Sequence, residues 1–234
     1  MHKKVIGMVV PPAGDLVPLE ATALYPEGIE FIARGLGISG VEAASFDVAL
    51  LRLPGVIADL RQRGAQAISL MGTSISFYGG WGGNRRLLQR MQEAAGDIPV
   101  TTMANAVVRG LKKRNVTRLV VASAYTPYLS QRLLEFLEEA GFEVIADSHL
   151  NLTDVNDIHA VGTARLEELG GSLLENNPMA QALLVSCGGL RTAMATEALG
   201  RRYNKPIVSS SIAGCHDAVS LLKFARDNPG LRMA

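Results

Sequence analysis

The sequence has few cysteines, few aromatic residues and no excess of either charge. Of its 234 residues only two are cysteines, and aromatic residues make up 5%. Two cysteines, Cys187 and Cys215, cannot form the set of disulfides that holds small secreted domains together. The 23 basic and 22 acidic residues leave a net charge of +1, which gives no electrostatic basis for binding nucleic acid or an anionic membrane. We expect neither as a partner.

Long apolar runs are also missing. A helix needs roughly 20 apolar residues to cross a bilayer, and no run approaches that length. The N-terminal stretch VIGMVV, residues 5–10, is shorter than the apolar core of a secretory signal, and no small-residue cleavage site follows at the right distance. We interpret it as a first β-strand and expect a cytoplasmic protein.

The sequence lacks the motifs of metal and phosphate sites. A P-loop is absent, and GGWGG, residues 79–83, is not a phosphate fingerprint. We interpret this glycine-rich stretch as a flexible lid or turn. No metal-ligand spacing connects the four histidines, which are His2, His149, His159 and His216. The sequence therefore predicts no metal site.

Short apolar runs alternate regularly with longer amphipathic stretches. Near-continuous apolar runs predict buried strands at Lys4–Val10, Ala67–Met71, Pro99–Thr102, Arg118–Ser123, Glu143–Ser148, Ala182–Ser186 and Pro206–Ser209. The amphipathic stretches predict helices at Gly55–Arg63, Arg85–Ala95, Asn105–Arg114, Tyr128–Ala140, Asn156–Glu175 and Thr192–Arg202. This alternation is typical of an α/β fold with parallel sheets.

The chain also contains an internal similarity. AQAISLMGTSI, residues 65–75, aligns without a gap with AQALLVSCGGL, residues 180–190. A second pair follows downstream, IPVTTMANAV at 98–107 and KPIVSSSIAG at 205–214. The pattern indicates two related halves that divide near Asn115. Chance similarity between short apolar strands is the alternative.

The alignment of the halves places Cys187 opposite Gly72. Both residues stand where a strand ends, and ligands bind outside the carboxyl ends of parallel strands. If the two halves face each other, both positions lie in one cleft. Small residues and hydroxyls follow each of them, and Tyr125 ends a third strand. These groups are suited to hold a carboxylate, although small residues in such turns are also common for conformational reasons.

A cysteine at a strand end has three possible roles: a buried structural group, a nucleophile or an acid. A helix N-terminus after Cys187 would lower the pKa of its thiol, but a thiol that donates a proton must stay protonated at the working pH. Cys215 and His216 are neighbours in sequence, so on a helix their side chains do not face each other. We interpret Cys215 as structural or as lining a pocket.

At these positions the sequence resembles the arylmalonate decarboxylases of the aspartate/glutamate racemase superfamily. The resemblance covers nearly the whole chain and rests on GMVVPPAG, LYPEGIEFIARGLGISGV, ISLMGTSISFY, VASAY, LLVSCGGL and VSSSIAG. Racemases of this superfamily carry a cysteine at both strand ends, whereas the decarboxylases keep only the second. The combination of Gly72 with Cys187 is similar to the decarboxylase pattern.

The resemblance implies an α/β fold of two pseudo-symmetric Rossmann-like domains, each with a parallel four-stranded sheet flanked by helices. The active site is expected in the cleft between the domains. We assign residues 1–114 with 213–234 to the N-terminal half and residues 115–212 to the C-terminal half. We expect a monomer or a weak homo-oligomer.

The implied reaction is the cofactor-free decarboxylation of aryl- or alkenyl-malonates to chiral α-substituted carboxylic acids. The substrate is a small malonate-type dicarboxylate, and Cys187 protonates an enediolate on one face. The resemblance implies that a carboxylate is held by Thr73, Ser74, Tyr125 and the backbone of Gly188, beside Gly72. It implies an apolar pocket formed by Ile38, Val41, Phe46, Val155 and Ile158, with Met71 and Pro11 nearby.

Two positions depart from the family pattern. Phe46 replaces a tyrosine, and Cys215 with His216 replaces aromatic residues. The preferred α-substituent therefore need not be a plain aryl group. Two other functions remain as alternatives: a racemase or cis–trans isomerase of the same superfamily, which needs a second acid/base near position 72, and a non-catalytic carboxylate-binding protein.

Overall fold

The computed structural model describes residues 3–227 and contains two parallel four-stranded sheets. Residues 1–2 and 228–234, which include His2 and the end of the predicted N-terminal half, lie outside the described residues. The first sheet has the order β2-β1-β3-β4 and consists of β1 Lys4–Val10, β2 Ile29–Gly35, β3 Ala67–Leu70 and β4 Val100–Thr102. The second has the order β6-β5-β7-β8 and consists of β5 Arg118–Ser123, β6 Glu143–His149, β7 Ala182–Ser186 and β8 Ile207–Ser209. The predicted α/β fold with two parallel four-stranded sheets is confirmed.

Helices flank both sheets. They are α1 Leu19–Leu24, α2 Ala43–Gln62, α3 Thr73–Phe77, α4 Gly80–Ala95, α5 Met103–Lys112, α6 Pro127–Glu139, α7 Val155–Ala160, α8 Thr163–Asn176, α9 Ala193–Tyr203 and α10 Ser210–Asp227. Within the described part of the chain, no helix combines the length and the apolar character needed to cross a membrane.

The internal similarity corresponds to equivalent positions in the two sheets. Strands β3 and β7 each occupy the third place in their sheet, and every residue of both strands is buried. Such strands consist of apolar and small residues throughout, because helices cover both faces of a parallel sheet. The turn that follows β3 and the turn that follows β7 are therefore structural counterparts.

The last described helix, α10, begins directly after β8 and packs against the first sheet. It lies against α5 and β3, where the buried carboxylate of Asp217 accepts a hydrogen bond from the Thr101 hydroxyl at 2.6 Å. Arg109 on α5 donates to the same carboxylate at 3.0 Å. The helix thus connects the end of the second sheet to the first. The domain boundary at residues 212 and 213 falls within α10 and stays a prediction.

Strand β2 and the first half of α2 were not predicted from the sequence. Strand β2 lies at the edge of its sheet and is only partly buried, so its sequence IEFIARG carries charges and no continuous apolar run. Helix α2 was predicted to begin after Pro54, yet it runs through that residue. A proline leaves the carbonyl four residues earlier without a helical donor, and Arg90 donates to that carbonyl, on Leu50, at 3.2 Å.

Two other predictions about helices were wrong. The predicted helix Asn156–Glu175 is two helices, α7 and α8, because residues 161 and 162 are extended. The glycine-rich stretch 79–83, which was predicted to be a flexible lid or turn, is instead the start of a helix: Gly79 is the N-cap and the first turn of α4 follows. The indole ring of Trp81 packs 5.4 Å from the ring of Phe136, and the Trp81 backbone N–H donates to Glu139 at 2.6 Å.

The attachment of α10 predicts a stability change. Asp217→Ala removes the acceptor of a buried hydroxyl, so we expect the free energy of unfolding to fall by about 1–3 kcal/mol. The control is Glu197→Ala, because Glu197 pairs with Arg201 where both side chains are about two-thirds exposed. An exposed pair contributes no more than about 1 kcal/mol. If urea unfolding shows that the two variants lose the same free energy of unfolding, the stabilising role of the buried Asp217 carboxylate is contradicted.

Candidate active site

A cavity of about 540 Å³ lies at the carboxyl ends of β1, β3 and β7. Every site residue predicted from the sequence except Tyr125 lines it: Pro11, Ile38, Val41, Phe46, Met71, Gly72, Thr73, Ser74, Val155, Ile158, Cys187 and Gly188. The fold therefore brings together residues that are far apart in sequence. Their chemical roles stay predictions.

The Cys187 thiol lies at the end of β7 and is almost fully buried, with 6% of the residue exposed. Burial raises the pKa of this thiol to about 11, although the N–H groups of Gly189 and Leu190 and the Tyr125 hydroxyl act in the opposite direction. The sequence-based expectation of a lowered pKa is wrong, because desolvation outweighs the donors in the following turn. At neutral pH the thiol is protonated and has a proton to donate.

Tyr125 lies behind the cavity wall. It is fully buried, its ring packs 5.4 Å from that of Phe77, and its hydroxyl is 3.4 Å from the Ser186 hydroxyl. The same hydroxyl is also close to Thr73 and Cys187. Burial raises the pKa of the Tyr125 phenol well above its usual value, so the group stays neutral and can donate a hydrogen bond.

Hydroxyl groups form one side of the cavity. Thr73 begins α3, and its hydroxyl donates to the Met103 sulfur at 2.9 Å. A thioether is a weak acceptor, so an incoming carboxylate can take this donor at little cost. Ser74 is half-buried beside it. We call Thr73 and Ser74 the hydroxyl side of the cavity.

Another group of residues that line the cavity is hydrocarbon. Its members are buried or half-buried aliphatic and aromatic side chains, namely Ile38, Val41, Phe46, Val155 and Ile158. The ring of Phe46 is held by an edge contact with Tyr78 at 5.2 Å. A charge placed here would be poorly solvated. We call these residues the apolar side.

The turns that follow β3 and β7 touch each other. A Cβ atom at Gly188 would lie 3.0 Å from the carbonyl oxygen of Met71 and 3.1 Å from the sulfur of Met103. These distances are tighter than nine in ten real Cβ contacts, so a side chain at position 188 would require its neighbours to shift by a few tenths of an ångström. Position 72 is equally confined, because a Cβ there would lie 2.7 Å from Pro11 and 2.6 Å from Ile75.

Several residues that line the cavity have no recognisable signal in the sequence. Leu16, Leu19 and Glu20 come from α1 and the loop before it, and His159 and Arg191 come from the second half of the chain. The carboxylate of Glu20 is buried and accepts from the Thr192 N–H at 3.4 Å and the Ser211 hydroxyl at 3.5 Å. A six-residue helix has too little periodicity for its buried face to be recognised.

The second cysteine lies away from the cavity. Cys215 is fully buried in α10 among residues that include Met71 and Met103, and burial raises the pKa of its thiol to about 12. The neighbouring His216 contacts the Tyr25 hydroxyl at 2.6 Å. This placement agrees with a structural interpretation of Cys215. Within residues 3–227, no group of three His, Cys, Asp or Glu side chains is arranged to hold a metal ion.

The close contact at Gly188 leads to a prediction. Gly188→Ala places a methyl group against a backbone oxygen that cannot rotate away, so we expect the free energy of unfolding to fall by about 1–3 kcal/mol. Gly55→Ala is the matched control, because a Cβ at this helical glycine meets nothing within 4 Å. That change should raise stability by about 0.5–1 kcal/mol. An unchanged stability of the Gly188 variant would refute the contact.

The buried thiol predicts a dependence on alkaline pH. The folded pKa of Cys187 is about 11, against an ordinary value of 9.0. Below the lower value the thiol is protonated in both the folded and the unfolded chain, and its contribution to stability is fully present. As pH rises through the folded value, that contribution is lost. Thiolate absorbance should therefore titrate near pH 11 in a Cys215→Ser variant, and the additional change Cys187→Ser should remove the signal. Titration of the Cys187 thiol at or below about pH 8 would contradict a pKa raised by burial.

Comparison with known proteins identifies the family. Residues 6–232 match the family described as "Arylmalonate decarboxylase". Arylmalonate decarboxylase from Bordetella bronchiseptica is 41% identical over 216 residues, which cover 92% of this chain and 89% of that protein. A solved structure of a double mutant of arylmalonate decarboxylase, in the liganded form, is 40% identical with a TM-score of 0.91 and covers 94% of this chain and 92% of that one.

A third similarity concerns the fold alone. A Nocardia farcinica maleate cis–trans isomerase mutant with a covalently bound succinylcysteine intermediate is 20% identical, with a TM-score of 0.87 and coverage of 95% of this chain and 94% of that one. The family match over nearly the whole chain and the identity to the Bordetella protein lead to one conclusion: the chain belongs to the arylmalonate decarboxylase family.

Proposed function

We propose that the protein is a carboxy-lyase that decarboxylates disubstituted aryl- or alkenyl-malonates without a cofactor and releases chiral α-substituted carboxylic acids. One observation carries the proposal. A buried, protonated thiol at Cys187 shares a cavity with a hydroxyl side and an apolar side. A malonate has two carboxylates. The hydroxyl side would donate hydrogen bonds to one of them, whereas the apolar side would leave the other poorly solvated.

The carboxylate that stays on the product binds the hydroxyl side. Thr73 and Ser74 donate their hydroxyls, and the backbone N–H of Gly188 adds a third donor from the turn after β7. The buried Tyr125 hydroxyl lies close to Thr73 and is a further donor beside it. These donors gain strength as negative charge develops on this carboxylate.

The carboxylate that leaves lies against the apolar side. Ile38, Phe46 and Ile158 offer no hydrogen bonds from their side chains, so an anion there is poorly solvated. Cleavage of the carbon–carbon bond releases neutral CO₂ and relieves this cost. The electron pair of that bond stays with the substrate, which becomes an enediolate held by the hydroxyl side.

Protonation completes the reaction. The S–H bond of Cys187 breaks, its proton goes to the α-carbon of the enediolate, and the resulting thiolate takes a proton from water. The opposite position is Gly72, where Pro11 and Ile75 occupy the space that a side chain would need. With one acid on one face, one enantiomer is expected.

The crowding around Gly72 argues against the racemase and isomerase alternatives. Both need a second acid/base at this position, and a thiol there would require Pro11 and Ile75 to move. The similarity to the maleate isomerase structure concerns the fold. A non-catalytic carboxylate-binding protein would bind malonates without turnover, so the assay below separates it from the proposal.

The composition supports a proposal about the setting in which the protein works. We propose that it acts in the cytoplasm, as a monomer or weak homo-oligomer, with no nucleic acid or membrane as a partner. The near-neutral charge and the two free cysteines support this assignment.

The direct test measures CO₂ release from phenylmalonate and methyl-phenylmalonate without added cofactor. We expect turnover by the parent protein and a loss of about 10²–10⁴-fold in kcat for Cys187→Ala, since that is the usual contribution of a general acid. Cys215→Ala is the matched control, because it removes the other buried thiol outside the cavity, and its kcat should stay within about twofold. No CO₂ from a panel of aryl and alkenyl malonates would refute the function, and parent-like turnover by Cys187→Ala would remove the thiol from the mechanism.

A further inference from the structure

Four of the exposed residues that line the cavity are of two chemical kinds. Leu16 and Leu19, at 79% and 63% exposure, are apolar, and His159 and Arg191, which we call the basic edge, carry basic side chains. We call these four residues the mouth. Exposed leucines next to basic side chains are suited to a ligand that is apolar along one side and negatively charged at its end.

The basic edge is attached to the turn that carries the thiol. Arg191 follows Cys187 by four residues in the same turn. The ring of His159, on α7, lies against Gly189, where a Cβ atom would be 3.3 Å and 3.4 Å from two ring atoms. Both basic side chains therefore line the same cavity as Cys187.

Both basic side chains are available to a ligand. Neither Arg191 nor His159 has a side-chain hydrogen bond or an ion pair with any of residues 3–222, whose side chains the structure describes. The acid that also lines the cavity, Glu20, is buried and accepts hydrogen bonds from Thr192 and Ser211 instead. The mouth thus presents a guanidinium and an imidazole N–H that the protein itself does not use.

The position of the substrate determines which of its groups reaches the mouth. In the proposed mechanism the retained carboxylate binds the hydroxyl side and the departing carboxylate lies against the apolar side. The larger α-substituent then points along the remaining direction, toward the opening. Its ring would pass Leu16 and Leu19, and its far end would meet Arg191.

We propose that Arg191 and His159 select malonates whose α-substituent ends in an anionic group, with a carboxylated aryl ring as the simplest example. The inference rests on the proposed function. The planar guanidinium of Arg191 matches a carboxylate in shape and charge, and His159 donates an N–H in either charge state. The two residues determine specificity and take no part in bond cleavage.

The test compares two substrates of the same shape, (4-carboxyphenyl)malonate and (4-carbamoylphenyl)malonate. We expect the kcat/KM ratio of carboxylate to amide to be about fivefold or more in the parent, which corresponds to an exposed ion pair of about 1 kcal/mol. Arg191→Gln should bring the ratio close to one, and His159→Ala should lower it. Arg201→Gln removes the same charge from a surface pair outside the cavity and should leave the ratio unchanged.

Failure of the inference differs from failure of the proposed function. A parent ratio near one, or a ratio that Arg191→Gln leaves intact, overturns the specificity role while decarboxylation stands. If none of the aryl and alkenyl malonates of the panel is turned over, (4-carboxyphenyl)malonate included, the proposed function falls. Calorimetry with 4-carboxyphenylacetate and its amide then decides the inference. Tighter binding of the carboxylate than of the amide, with the difference lost in Arg191→Gln, supports it. Equal binding of the two compounds overturns it.

Discussion

The site depends on the contact between the turns that follow β3 and β7. A side chain at Gly188 would crowd the Met71 carbonyl, so the missing Cβ favours the close approach of the two turns at this point. Helix α10 supports the same contact, because it leaves the second sheet and packs through Asp217 on the first. The proximity of the two strand ends gives one cavity with contributions from both halves.

Burial then determines the chemistry of the thiol. The turn after Cys187 supplies N–H donors that favour a thiolate, but desolvation outweighs them and the proton stays on sulfur. Elsewhere in the same cavity, Pro11 and Ile75 crowd the space around Gly72. The cavity therefore contains one protonated thiol, and a side chain at position 72 would require Pro11 and Ile75 to move. This asymmetry is the structural basis for the proposed proton delivery from one side.

The sequence predicts the parts of the molecule whose local pattern is strong. Strands buried on both faces, such as β1, β5 and β7, have the bounds that their apolar runs predict, and the internal similarity by itself pairs Gly72 with Cys187. Strand β2 was missed, because an edge strand carries charges and no apolar run. Tyr125 was expected at the cavity wall and lies behind it.

The parts of the site that the sequence did not predict depend on long-range packing. Leu16 reaches the cavity from the loop before α1, and Glu20 reaches it from α1, where its carboxylate accepts a hydrogen bond from Thr192 in the second half of the chain. Arg191 and His159 have the composition of ordinary surface residues, and only the fold places them at the mouth. Local patterns describe which residues are buried, whereas the tertiary structure determines which exposed residues share an opening.

The central claim, that the proton reaches the α-carbon from one face only, is tested most directly by decarboxylation of methyl-phenylmalonate in D₂O. The account predicts one enantiomer of the product with a single deuterium at the α-carbon, and no exchange when that product is incubated again with the protein. A racemic product, or exchange of the isolated product, would show a second proton donor opposite Cys187 and would contradict the account.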